Sequence, residues 1–194
     1  MSLFIYFQFI FTIMKNILLM LGMIFCSNLF AQVVPEFSLM SDGTMQALDK
    51  SYIVVEFPDK TKSDLYSDVL FAVSSLYASP KDVLSTSENE SITINGYAKD
   101  CLHYGMNVMS IHYSITMLFK DGKVRVNSPQ VVSIVFDGGK ISTNFVGWLK
   151  TQNFFVNGEV NTKPNKVKVV EEYNRKMNSL IYSILNYKQV QEDW

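Results

Sequence analysis

From Met109 onward the chain alternates with unusual regularity. Met109, Ile111, Tyr113, Ile115, Met117 and Phe119 are apolar, and Ser110, His112, Ser114, Thr116 and Lys120 stand between them. A period of two marks a half-buried strand. Leu118 is the single apolar residue on the polar side. Asp121-Gly122 follows, a two-residue turn signal for type I′ geometry, which needs positive φ at both positions. Such a turn sets Lys120 against Lys123, Phe119 against Val124 and Met117 against Val126. The apolar residues then meet on one face, and a one-residue slip would break the match. Lys120, Lys123, Arg125 and His112 fall on the other face, which reads as the wet side of a hairpin and not as a catalytic cluster.

Other segments carry their own periods. "SYIVVEF" (51–57) is a short strand with Ile53, Val55 and Phe57 on one face, ended by Pro58. In "DKTKSDLYSDVLFAVSSLYASP", Leu65, Val69, Ala72, Val73 and Leu76 recur at helical spacing, with Thr61 or Ser63 to cap the start and Pro80 to stop the far end. "SENES" is a polar turn, and "ITINGYAK" (92–99) alternates as a strand in which Gly96 marks a bulge or a close approach. "QVVSIVF" (130–136) is a further strand after Pro129, which should break or bulge the ladder. Asp137-Gly138-Gly139 gives another turn, "KISTNFVGWL" returns as a last strand, and 158–165 is a loop. In "KVKVVEEYNRKMNSLIYSILNYKQV", Val170, Tyr173, Met177, Leu180, Ile181 and Ile184 form one helical stripe, leaving Glu171, Glu172, Arg175 and Lys176 to water. The expected fold class is therefore α+β: an antiparallel sheet with two helices packed on one face, in the order β-α-β-β-β-α.

The N-terminal stretch differs in kind. A second methionine, Met14, is followed by Lys15, an apolar run over Ile17–Phe25, and Leu29-Phe30-Ala31 before Gln32. That is the layout of a signal peptide starting at Met14, cleaved between Ala31 and Gln32. The competing reading is a longer uncleaved anchor, but Lys15 interrupts the run and Ile17–Phe25 is too short to span a bilayer alone. A lipid-attachment role for Cys26 would want a small residue before it, where Phe25 stands. Residues 32–50 show no sustained period and read as a leader, with a single domain over 51–190.

Composition narrows the function. The 194 residues are 48% hydrophobic and 18% charged, enough for a packed core. The net charge is −1, and removal of Lys15, the only charge in the first 31 residues, takes it to −2. A polyanion partner favours a strong basic excess, so nucleic acid is disfavoured. Cys101 is the only cysteine after the cleavage site, so no internal disulfide forms in the mature chain.

"TKSDLYSDVLFAVSSLYASPKDVL", "ITINGYA" and "IHYSITMLFKDGKVRV" together resemble the family called domain of unknown function 4468, described as having a TBP-like fold. The resemblance rests on the helix start Lys62-Ser63-Asp64-Leu65-Tyr66 and the hairpin Lys120 to Arg125. It runs from Tyr52 to Val126, within a family-like part of about 52–136. Phe71 stands where a mid-helix tryptophan is expected, and the tail after Phe136 has no clear counterpart. The resemblance implies an exported protein of Gram-negative bacteria of unknown function, with no catalytic residues to transfer.

The chemistry-bearing residues are sparse. His103 and His112 are the only histidines, and Cys101-x-His103 offers two ligands where a metal site needs more. No Gly-x-Ser-x-Gly elbow or phosphate-binding glycine loop is present, and "DGGK" lacks P-loop spacing. Glu88 with Glu90 and Glu171 with Glu172 are explained by solvated faces. No catalytic, metal or cofactor site is expected. Trp148, Phe154 and Phe155 form a candidate interaction surface, set against the simpler reading that they close the core. The expected function is an exported, periplasmic or extracellular, non-enzymatic binding module of the bacterial cell envelope. Its partner would be an envelope protein or an apolar small ligand; the alternative is a hydrolase using His112 or His103.

Overall fold

The computed structural model describes residues 35–136 and 141–185. The signal segment, its Ala31/Gln32 junction and the Asp137-Gly138-Gly139 turn lie outside the described residues. In chain order the elements are β1 (Ser38–Leu39), β2 (Met45–Gln46), β3 (Tyr52–Glu56), α1 (Lys62–Leu76), α2 (Pro80–Val83), β4 (Leu84–Ser87), β5 (Ser91–Tyr104) and β6 (Asn107–Lys120). They continue with β7 (Lys123–Asn127), β8 (Gln130–Phe136), β9 (Ile141–Asn144), α3 (Phe145–Thr151), β10 (Phe155–Val156), β11 (Glu159–Val160) and α4 (Pro164–Leu185).

β6 organises the sheet, because three strands pair with it. β5 runs antiparallel along one edge, with β4 beyond it. On the other edge β7 pairs with Met117–Lys120 and β8 with Ser110–Ser114, so the two lie end to end along the same strand. Pro129 sits at their junction, where its missing N–H would break a continuous ladder. The outer neighbours differ accordingly: β3 flanks β7, and β9 flanks β8.

The hairpin register follows the apolar pattern, with Lys120 opposite Lys123, Phe119 opposite Val124 and Met117 opposite Val126. Its turn differs from the expectation. Only Gly122 has positive φ (72°), as in a type II turn and not type I′. The cause is tertiary: Phe57 N donates to the Gly122 carbonyl, Gly122 N donates to the Lys60 carbonyl, and Asp121 Oδ1 accepts from Lys62 N. The β3–α1 connection thus holds the turn in a geometry the hairpin alone would not choose. Type I′ geometry appears instead between β10 and β11, where Asn157 (φ 53°) and Gly158 (φ 87°) are both left-handed.

α1 begins where the capping residues place it. Thr61 accepts from Asp64 N through its hydroxyl, and the Asp64 carboxylate accepts from Thr61 N, a reciprocal capping box. The helix buries Leu65, Tyr66, Val69, Ala72 and Val73. Leu76, counted in the stripe from its spacing, is 44% exposed, because the chain leaves helical geometry at Tyr77 (φ −115°, ψ 136°). Pro80 does not stop this helix; it opens α2 at a first-turn position, where a missing N–H costs nothing.

α1 and α4 pack against each other and on the sheet, α1 over β5, β6 and β7 and α4 over β5. Beneath them Ile53, Val55, Ile92, Ile94, Ile111, Ile115, Met117, Val124 and Val126 are buried. α4 contributes Val169, Val170, Tyr173, Met177, Ile181 and Ile184, while Leu180 is only half-buried. The architecture is α+β with an antiparallel sheet, but four helices are present among the described residues, not two.

Three segments depart from the sequence reading. Residues 35–50, read as a leader, form the β1–β2 hairpin with Phe37, Leu39, Met45 and Ala47 in the core. "KISTNFVGWL" is a strand only as far as Asn144; the Asn144 side chain then accepts from Gly147 N and starts α3. Loop 158–165 contains β11 and the first residues of α4. Gly96 proves to be a close approach, since the bulge in β5 falls between Ala98 and Leu102. Among the described residues no helix is long and apolar enough to cross a membrane.

Candidate functional site on the open face of the sheet

The face of the sheet opposite α1 and α4 has no element of the described chain packed across it. Strict alternation places its residues in rows. Val54, Arg125, Leu118 and Ser91 stand side by side across β3, β7, β6 and β5. One row away, Glu56 faces Lys123, which in turn faces Lys120. Further along β6, Tyr97 and Ser133 flank His112. Val54, Tyr97 and Leu118 are all exposed by more than a third.

Arg125 is the most constrained cation on this face. Its guanidinium carbon lies 4.0 Å from the centre of the Tyr52 ring, and its Nε donates to Asn127 Oδ1 at 3.0 Å. Register explains both contacts: Tyr52 is the partner of Asn127, and Arg125 the partner of Val54. At the far end the His112 and Tyr97 rings lie 4.7 Å apart. His112 is exposed on this face, as the alternation requires.

Two solved structures are similar to this chain. One is a TBP-like protein from Parabacteroides distasonis ATCC 8503, 14% identical, covering 71% of this chain and 90% of that one, with a TM-score of 0.49. The other is a DUF4468 family protein from Bacteroides ovatus ATCC 8483, 11% identical, covering 73% and 85%, with a TM-score of 0.45. No family model and no curated protein matches the sequence.

The aromatic segment singled out from sequence occupies a different place. Trp148 and Phe154 are buried, and Phe155 is half-buried. Trp148 packs on Phe154 (4.6 Å between ring centres), Phe145 and Tyr104. These rings close the core, so Trp148 and Phe154 present no surface. Beside them lies a feature the sequence did not signal. Lys166, 6% exposed, donates through Nζ to the Tyr104 hydroxyl and to the Gln152 carbonyl, over the rings of Tyr104 and Phe154. It ties the first turn of α4 to the end of α3.

His103 and His112 do not come together on one site. His103 donates its backbone N–H to Glu172 Oε2, and its Nδ1 lies 3.0 Å from Glu172 Oε1. Glu172, read as facing water, therefore has its carboxylate drawn against the edge of β5, with its side chain 12% exposed. Cys101 is buried, and desolvation raises its thiol to about 11. Desolvation likewise raises the phenols of Tyr113, whose hydroxyl meets that of Tyr77, and of Tyr173. Among the described residues the buried Tyr173 hydroxyl has no hydrogen-bond partner. Among the described residues no three His, Cys, Asp or Glu side chains converge as a metal site would need.

Proposed function

We propose that this chain is an exported, non-enzymatic binding module of the bacterial cell envelope, and that the open sheet face is its contact surface for a partner protein. One observation carries the reading. Among the described residues the sheet is covered on one side by helices and on the other by no element, and that second side holds Tyr52, Val54, Tyr97, Leu118 and Arg125. Tyrosine and arginine are enriched among the residues that anchor interfaces, tyrosine because its rigid ring gives a large contact at little entropic cost and arginine because its planar fork makes several hydrogen bonds at once. Polar neighbours such as Thr93, Thr116 and Asn127 keep the face soluble when it is empty.

The test is site-specific photo-crosslinking in cells expressing the full chain, with the cross-linker at Tyr97 or Leu118 and a control at Tyr182 on α4. Discrete adducts from the two sheet positions, absent at Tyr182, are the expected result. Equal labelling at all three positions, or none, overturns the surface assignment. Export is tested on the same cells: the recovered chain should begin at Gln32. A chain retaining Lys15 would refute cleavage.

A further inference from the structure

We infer that Arg125 and Lys123 form a receptor for two carboxylates of an extended acidic peptide segment, a narrower statement that rests on the sheet-face reading above. Arg125 is already arranged for this task. Stacking on Tyr52 fixes the plane of the guanidinium, and the Nε bond to Asn127 fixes its rotation. With Nε engaged, the terminal fork remains as the pair of parallel donors that a carboxylate accepts in bidentate fashion. A side chain held in this way loses less freedom on binding than an unrestrained surface arginine.

The spacing selects the ligand. Lys123 and Arg125 are two residues apart on β7 and share a face, so their stems are separated by roughly 7 Å. An extended peptide presents its i and i+2 side chains at the same interval. Val54 and Leu118, opposite Arg125 on either side, offer apolar contact to the stems of such side chains. Charge agrees. Lys120 adds a third cation at this end of the face, so three cations stand against two acids, Glu56 across from Lys123 and Asp121 in the turn, and the patch is net positive.

Other polyanions fit less well. Sugar polymers bind by stacking on open aromatic faces, but beside these cations the Tyr52 ring is covered by Arg125, and the exposed Tyr97 lies at the far end against His112. Adsorption to an anionic membrane gains from many basic residues in one cluster, and here three cations share the patch with two apolar side chains.

The experiment titrates the purified full chain with a fluorescent octapeptide of alternating Glu and Val, and with its Gln counterpart. The Glu peptide should bind, and the Gln peptide should bind about tenfold or more weakly. Arg125→Gln should weaken the Glu peptide by about tenfold or more, and Arg125→Lys should not restore it, because an ammonium lacks the fork. Asn127→Ala should give an intermediate loss, through freeing Arg125. Arg125 is exposed, so the thermal midpoint of each Arg125 variant should match the parent and separate lost binding from lost folding. Equal affinity of the parent and Arg125→Gln overturns the proposal. So does Arg125-dependent binding of polygalacturonate or of phosphatidylglycerol vesicles in place of the peptide. If the peptide fails while the Tyr97 and Leu118 crosslinks persist, the receptor falls and the surface stands; if both fail, both readings fall.

Discussion

Asn178 holds the backbone of Phe37 from both sides: its Oδ1 accepts from the Phe37 N–H and its Nδ2 donates to the Phe37 carbonyl, each at 2.8 Å. One turn earlier on α4, Asn174 Oδ1 accepts from Leu39 N, also at 2.8 Å. Residues i and i+4 of a helix share a face, as i and i+2 of an extended segment share an edge. The two amides thus pair with the β1 segment as a neighbouring strand would.

Removing this clamp leaves partly buried backbone groups without partners, which costs about 1–3 kcal/mol for each group. Asn178→Ala orphans two such groups, the Phe37 N–H and carbonyl, and should therefore lower stability by about 2 kcal/mol or more. Hydrogen exchange should accelerate at Phe37 and Leu39 while the β5–β6 amides stay protected. Uniform acceleration across the sheet would show that the β1–β2 hairpin does not open on its own.

Gly96 faces Tyr113 across the β5–β6 ladder, and a Cβ built on it would lie 2.3 Å from the Tyr113 ring. The ring is rigid and its hydroxyl is held by Tyr77, so it has little room to yield. Gly96→Ala should cost about 1–3 kcal/mol from overpacking. In a Tyr113→Ala background the same change should be nearly neutral. A double-mutant cycle by chemical denaturation measures the coupling; additive costs would mean that the glycine serves the backbone and not the ring.

Stability should fall at alkaline pH, and the sign follows from burial. Desolvation raises the Cys101 thiol from 9.0 to about 11, and also raises the phenols of Tyr77, Tyr113 and Tyr173 above their usual value. Each group keeps its proton longer in the folded state than in the unfolded chain. Its contribution is complete below the unfolded-state pKa and is lost as pH rises towards the folded-state value. Cys101 therefore costs stability between about 9 and about 11, at roughly 1.4 kcal/mol per pH unit. Denaturation midpoints should be level near neutrality and drop above about pH 9, with the onset delayed in Cys101→Ala. The thiol should resist iodoacetamide at pH 8 in the native chain and react once it is unfolded.

The hairpin was legible in the sequence because its two controlling signals are local: strict alternation from Met109 and a two-residue turn after Lys120. The same alternation placed Arg125 and His112 on the wet face. The sequence also flagged Leu118 as an exception, and that residue now lies beside Arg125. What escaped depends on distant partners. The β1–β2 hairpin has strands of two residues each, too short to show a period, and takes its hydrogen bonds from Asn174 and Asn178 more than a hundred residues away. α3 was hidden because Phe145-Val146-Gly147-Trp148 reads as easily as a strand, and only the Asn144 cap decides for helix. Nothing in the pattern around Lys166 told that a lysine would be buried.

Lys166 offers a test of what that burial achieves. A buried ammonium gives up hydration, and here it recovers two hydrogen bonds and the faces of two rings, with no carboxylate of the described residues paired to it. Lys166→Met keeps the apolar stem but strips the donor from the Gln152 carbonyl and the Tyr104 hydroxyl. Both acceptors would be left without their donor, so stability should fall by about 1–3 kcal/mol. The near-ultraviolet signal of Trp148 should change too, since Trp148 packs on both rings beneath the amine. Replacing a buried charge by a hydrophobic residue of like volume can also stabilise. A Lys166→Met chain as stable as the parent would place the amine on that side of the balance, and would mean that α4 is held to α3 by its apolar contacts alone.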